Sequence, residues 1–560
     1  MVRSIPPTLR AGTLDLPAVP AWLQAWFLLF LGPILSWAES RIYRHILAQS
    51  ADHPLVLLGL SYDPAAVVEA CSAFRAPPGR PGAPPDFTLE QLVRAEIVRA
   101  WAECCSERDL EWHLASNLVV RWFVGLSLFA PRVPDHTTLQ RFHLWMRLNA
   151  PEAFFEQVLG FLDRVDPEEP LSTPQILDTF ALSAPVAWPP RVANLLLELC
   201  DDLVRAWLAQ APRRLQHALP PLDLGPLRQP PRPRDAIERQ ALLVQAVGLS
   251  LHLSSCLRPY LPELPLARRR PIARLLEALE KVIADELEFD ASGYPSERKN
   301  KGHYRIASAT DLDATFRHHD DELTLGYNVA IATTGTRIRA VVVLTGATPD
   351  SEAPEALLRQ QLAVGRPLPR YVVMDQAAGW GKCRARVDVV SAGQTQQVAL
   401  IPPAGGADPR RFGPANFRVD ADRTSCTCPR GVVSTHGYSR GDGDGVKFRF
   451  LASQCRGCED WTACRGEQSK PKAHRMVFIS DYQAYLRAAA VFNQSEEGKG
   501  LLKRRWQVEP EVAWLVRYQG CRRARCLGRE AAQFQLYQAC AMRNLLRWLG
   551  RSGKVAAAAA

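Results

Sequence analysis

The sequence predicts an α/β protein in which a mixed sheet carries flanking helices, an N-terminal helical bundle and a small cysteine-rich insertion. Three observations lead there. Short β-rich apolar runs recur at 174–184, 322–346, 370–375 and 397–401, separated by long stretches with helical spacing. Two of these runs lead into an isolated carboxylate, Asp178 in Gln-Ile-Leu-Asp178-Thr-Phe and Asp375 in Arg-Tyr-Val-Val-Met-Asp375. A third carboxylate, Glu509, lies in the basic helical stretch Lys-Arg-Arg-Trp-Gln-Val-Glu509-Pro-Glu.

The composition is that of a large globular protein. The 560 residues are 47% hydrophobic and 22% charged, with length enough for several domains. The net charge of +10 and pI of about 9.0 favour a polyanionic partner. Basic residues concentrate at Arg268, Arg269 and Arg270, at Lys299 and Lys301, and through 503–529. The 14 cysteines do not form a secreted disulfide framework; Cys71, Cys200, Cys256 and Cys540 sit singly in helical patterns and read as small core residues. The uncharged run 21–37 is short for a membrane span and is interrupted by Pro33, so a packing helix is expected, with neither membrane contact nor a signal peptide. A cytoplasmic, nucleoid-associated protein is the expectation.

Along the chain, 1–80 reads as an apolar helical extension, and the Pro/Gly-rich 76–85 as a linker. A helical bundle with helix-turn-helix character follows over 87–165. Thr88-Leu-Glu-Gln91 and Ser106-Glu-Arg-Asp109 resemble capping boxes, and Pro134-Asp135 precedes another helix start. The catalytic core is expected over 170–404, interrupted by helices at about 190–300 whose middle, 220–233, is proline-rich. The segment 322–346 reads as a hairpin around Thr-Thr-Gly-Thr, and helix 352–362 and two further strands follow it. This order of strand, hairpin, helix, strand, strand is consistent with an RNase H-like core. Residues 405–475 form the cysteine-rich insertion, and 476–550 return to helices that carry Glu509. The alanine run 555–560 has no evident role.

Two strand-end aspartates and a helical glutamate suit a two-metal phosphoryl-transfer centre, because Mg²⁺ prefers hard oxygen ligands. The ordered motifs resemble the DDE transposases of bacterial insertion sequences over roughly 87–548. Val120-Arg-Trp-Phe-Val-Gly-Leu126 and Asp135-His-Thr-Thr-Leu-Gln-Arg-Phe142 are similar to that family's N-terminal helical domain. Asp178-Thr-Phe resembles its first catalytic motif, and Asp311-Leu-Asp313-Ala with Leu325-Gly-Tyr-Asn-Val its Asp-Pro-Asp-Ala and Gly-Tyr signature. Asp375-Gln-Ala-Ala-Gly-Trp380 resembles the second aspartate motif, Arg505-Trp-Gln-Val-Glu509 the third, and Gly520-Cys-Arg-Arg-Ala-Arg525 and Asn544-Leu-Leu the basic turn and final helix.

The resemblance implies a DNA transposase that cleaves the element's ends and joins the freed 3′-hydroxyl to target DNA. Asp178, Asp375 and Glu509 would hold Mg²⁺ or Mn²⁺, and Arg505, on the Glu509 helix, would approach a phosphate. Double-stranded DNA, both transposon ends and target, is the implied partner, bound by a homodimer or larger assembly. Lys503, Arg504, Arg505, Arg517, Arg522, Arg523 and Arg525 are the candidate DNA contacts. Departures from the family pattern are Val516 where a lysine is usual, and Leu501 and Leu502 near the place of a tyrosine. Glu511 competes with Glu509, which the spacing from Arg505 favours. Asp311 and Asp313 read as strand-orienting residues. A transposase-derived DNA-binding protein without catalysis, or an RNase H-like nuclease, are the alternative functions.

Cys426-Thr-Cys428-Pro, Cys455-Arg-Gly-Cys458 and Cys464 have spacing suited to tetrahedral zinc. The favoured set for a structural Zn²⁺ is Cys428, Cys455, Cys458 and Cys464, with Cys426 spare or alternate. Related transposases with such an insertion show a similar Cys arrangement.

Overall fold

A twisted central sheet organises the molecule, with strands β1 (Gln175–Ser183), β2 (Thr315–His319), β3 (Glu322–Thr333), β4 (Ile338–Thr345), β5 (Tyr371–Val373) and β6 (Gln396–Val398). The computed structural model describes residues 21–560 except 76–85, 131, 170–171, 188–190, 223–224, 229–231, 303, 320–321, 403–410, 440–443, 467–468, 471 and 560. Side chains at 21–30, 226, 228, 319, 439 and 552–559 are also outside the description, so the expected linker 76–85 and the alanine-run side chains fall outside it.

β3 and β4 form the expected hairpin, its turn Thr334–Arg337 lying one residue on from the Thr-Thr-Gly-Thr of 333–336, and Gly335 takes the positive φ of 83° that the turn requires. β3 pairs antiparallel with β1, β1 pairs parallel with β5, and β5 pairs parallel with β6. β2 pairs with the first half of β3. Helix Ala353–Ala363 crosses between the antiparallel and parallel parts.

The period-two alternation of the strands divides two cores. Ile176, Phe180 and Leu182 of β1, with Tyr371 and Val373 of β5, face a core shared with the N-terminal helices and the final helix Arg529–Ala559. Leu177, Val372 and Met374 face the opposite core, built on helices Ala353–Ala363 and Gly381–Val390.

The N-terminal region is helical. Thr88 and Gln91 close a reciprocal capping box on helix Leu89–Ala102. Ser106 caps Glu107–Ser116 through the Asp109 amide (3.2 Å), and Asp135 caps His136–Asn149 through the Thr138 amide (2.7 Å). Leu55, Val56, Leu58 and Val67 from the preceding short helices lie in the same core as these helices.

Helices Val192–Gln210, Ala236–Leu257 and Leu266–Glu286 gather around a core of their own. Among the described residues, one segment, Ala236–Glu263, is long and apolar enough to cross a membrane by length and composition. Its Leu242, Leu243, Val247, Leu253 and Leu257 are buried in that helical core. The cysteine-rich unit has two small three-stranded sheets around Phe417, Phe448, Phe450, Val477 and Ile479. Its last strand, Arg475–Ser480, pairs with Gly445–Phe450 and so runs past the 475 boundary read from composition. Backbone pairing, which composition does not encode, sets that end.

Candidate active site

Asp178 and Asp375 are brought together by strand register. Ile176 pairs with Val373 across the parallel β1–β5 contact, and each aspartate lies two residues further along its own strand. Both therefore sit on the sheet face turned toward the N-terminal and final helices. Asp178 does not end its strand, as the sequence had suggested; it lies in the middle of β1 opposite Ile331, because Phe180 and Leu182 continue the buried alternation beyond it. Asp375 lies two residues beyond the last residue of β5 and caps the turn Gln376–Ala378 through the Ala377 amide (3.0 Å).

Burial pushes the Asp178 carboxyl up to about 6; the Thr179 amide and the Arg505 guanidinium oppose the shift, and the Asp375 and Asp350 charges add to it. A half-buried carboxylate facing others of its sign is a setting that a cation would relieve. The donor set is all hard oxygen, which fits Mg²⁺ or Mn²⁺. Among the described residues, the oxygens of Asp178, Asp375 and Glu509 are not gathered within 4.8 Å of one another.

Glu509 is the first residue of helix Glu509–Tyr518, and Arg505 lies on the preceding 3₁₀ turn Arg504–Val508. This corrects the expectation that both share one helix. Pro510 lacks an amide hydrogen and suits the first turn of a new helix. The turn packs along β1, with Val508 in the core beneath, so Arg505 lies between Asp178, whose ionisation it favours, and Glu509, 4.0 Å away. The Glu509 side chain is 64% exposed. Glu511 is 1% exposed and is held by Arg543 (2.8 Å) and by Arg547. Its oxygens are committed to two guanidinium groups, which leaves Glu509 as the accessible member of the pair.

Sequence reasoning missed Asp350. It accepts from Asn328 Nδ2 (2.7 Å) and faces Arg317 at 3.5 Å, and Arg317 Nη2 donates to Thr179 Oγ1 (3.2 Å). These contacts tie the residue after Asp178 to a third acidic side chain. The available signal was Asn328, an amide within an otherwise apolar strand and therefore in need of a partner. Asp311 accepts from the amides of Asp313 (3.1 Å), Ala314 (3.2 Å) and Gly528 (2.9 Å) and from the Tyr327 hydroxyl, while Asp313 pairs with Arg274 (2.7 Å). Both act as structural anchors.

The basic turn docks on the catalytic strand. Ser183 N donates to Arg522 O (3.0 Å), and Ala524 N donates to Ser183 O (2.8 Å). Arg522, Arg523, Arg525, Arg517, Lys503 and Arg505 are exposed, and Arg504 is partly buried. Leu501 is buried and Val516 partly so, as apolar residues at those places require. Asn544 donates to and accepts from the backbone of Ile338 (2.9 and 2.8 Å), pinning the final helix to β4.

In the insertion, Cys428, Cys455, Cys458 and Cys464 line one pocket with Trp461 and Arg465. Burial pushes the thiols of Cys455 and Cys464 up, and neighbouring cysteines add to the shift. The four sulfurs are not within 4.8 Å of one another in threes. Cys426 is buried on a strand paired with Ser434 and lies in the unit's apolar core, outside the pocket.

Two family models match the chain. The model described as a transposase DDE domain covers residues 427–549, and the transposase domain DUF772 covers residues 45–143. Neither a curated protein nor a solved structure matches.

Proposed function

Because the chain belongs to the DDE transposases of insertion sequences, enzymes that act on DNA and generally use divalent metal ions, we propose that it cleaves the ends of its element and joins the 3′-hydroxyl to target DNA. The observation carrying this reading is the β1–β5 register, which sets Asp178 and Asp375 side by side with Arg505 next to them. The strand order β4-β3-β1-β5-β6, antiparallel then parallel, supports an RNase H-like core. Asp178, Asp375 and Glu509 would hold the metal ions, which supply activation of the attacking oxygen and stabilisation of the leaving one. Arg505 would neutralise a phosphate beside the scissile bond, and the half-buried floor of the site would limit competing water. Exposed Lys503, Arg517, Arg522, Arg523 and Arg525 would hold the duplex backbone without reading sequence. We assign end recognition to the helices of 87–165, structural zinc to Cys428, Cys455, Cys458 and Cys464, and a homodimer or larger assembly to the DNA-bound state.

The test uses duplex DNA carrying the element's end, Mg²⁺ and a target plasmid. Cleavage followed by joining is expected, with both lost in Asp375→Ala. Cleavage that survives this substitution sinks the catalytic assignment; cleavage without joining makes the protein a nuclease.

A further inference from the structure

A second cluster of ligating side chains lies in the N-terminal helical region, apart from the carboxylates and from the insertion. Helix Leu89–Ala102 ends at Glu103, whose left-handed backbone (φ 54°) turns the chain so that Cys104 lies over the start of helix Glu107–Ser116. Asp109 and His113 occupy positions i and i+4 of that helix and share a face. One ligating atom from each of Cys104, Asp109 and His113 lies within 4.8 Å of the other two, and this trio is the group so placed among the described residues.

We propose that Cys104, Asp109 and His113 form a three-ligand site for a divalent zinc-type metal ion. One thiolate, one imidazole and one carboxylate are a donor set that zinc accepts, and water would complete its four-coordinate shell. Two observations set the trio apart from an ordinary ion pair. His113 Nε2 is 3.9 Å from Asp109 Oδ1, too far for a hydrogen bond and slightly wider than the roughly 3.3–3.8 Å between ligands of one zinc ion, so a small side-chain adjustment would bring both onto a metal. The other ring nitrogen, Nδ1, is buried without a hydrogen-bond partner, so neither ring nitrogen makes a hydrogen bond in the metal-free arrangement. Asp109 spends its second oxygen on the Cys105 amide (3.3 Å), which leaves Oδ1 facing the histidine. Binding would displace the Cys104 thiol proton to solvent and leave a metal–thiolate bond.

The site's position gives it a task. Arg525 Nη1 donates to the Cys104 carbonyl (3.3 Å), and Arg525 belongs to the basic turn that pairs with Ser183 at the end of β1. Metal at Cys104 would stiffen the backbone on which that turn rests.

The experiment measures bound metal per chain by elemental analysis after saturation with Zn²⁺ and gel filtration of the full chain, with circular dichroism as the check on folding. Asp109→Asn keeps a polar side chain at the helix start, and His113→Gln keeps an amide in place of the ring. We expect each to lose one equivalent relative to the unsubstituted chain. Replacing Cys428, Cys455, Cys458 and Cys464 with alanine should leave that equivalent in place, whatever the insertion binds. Cobalt substitution reads the same site in the chain that keeps its insertion cysteines, where Cys104→Ala should remove part of the thiolate-to-cobalt absorption. Unchanged metal content in folded Asp109→Asn and His113→Gln, or unchanged cobalt absorption in Cys104→Ala, overturns the proposal.

Discussion

Single side chains at the site pull in different directions, and three substitutions separate their roles. Folding raises the Asp178 carboxyl from 3.8 to about 6, so the unfolded chain ionises first. The folded state's advantage is full below about pH 4 and is lost as pH rises toward 6. Asp178→Asn should therefore raise the melting temperature of the metal-free protein at pH 7, by at most about 3 kcal/mol of stability, and leave it unchanged near pH 4. A melting temperature that falls at pH 7 would show that the carboxylate is held by stabilising contacts instead. The two glutamates should behave oppositely. Exposed Glu509→Gln should abolish strand cleavage with little change in denaturant midpoint. Glu511→Gln leaves Arg543 and Arg547 facing a neutral amide in a buried setting, and should cost about 3–5 kcal/mol in urea unfolding. The sequence placed both carboxylates two residues apart and could only rank them by spacing from Arg505. The partners that separate them come from the final helix, and pairings across such a span leave no local trace.

Among the elements, local signals were the most legible. The Thr88 box and the Asp135 cap act within a few residues, and both appear as the sequence indicates. The hairpin was readable for the same reason, since its turn and alternation are adjacent in the chain. The place of Asp178 in the middle of β1 and the end of the insertion were not, because each is decided by pairing with a distant strand. The basic turn shows the same limit: its arginines were evident, but its docking on Ser183 was not. If that turn grips the DNA backbone, Arg522→Ala with Arg523→Ala should weaken binding alike across sequences. The slope of log affinity against log salt should shrink by about two. Sequence-selective loss would instead mean that these side chains read bases.

For the whole molecule, the separate cores of the helical insertion and of the cysteine-rich unit predict separable behaviour. Stripping metal with a strong chelator should expose the cysteine-rich unit to limited proteolysis at 405–475 while helix Arg529–Ala559 stays protected. Uniform digestion would mean that the unit does not depend on a bound ion. The general architecture was legible because the two periodicities, helical and strand, alternate along the chain. Which sheet face the carboxylates share was not, since it depends on how β1 and β5 align.

That alignment sets what changes in length the gene can tolerate. Between Asp178 and Asp375 the chain leaves the sheet for an entire helical unit and returns, yet only two residue pairs join β1 to β5. Lengthening such an excursion is cheap, since doubling a loop adds only about 0.6 kcal/mol of closure entropy. One residue inserted between Gln175 and Asp178 would instead turn the aspartate to the opposite core. Large insertions and single-residue shifts of register are thus opposite hazards: the excursion between β1 and β5 should accept added chain, whereas one amino acid gained between Gln175 and Asp178 would turn the aspartate to the wrong face.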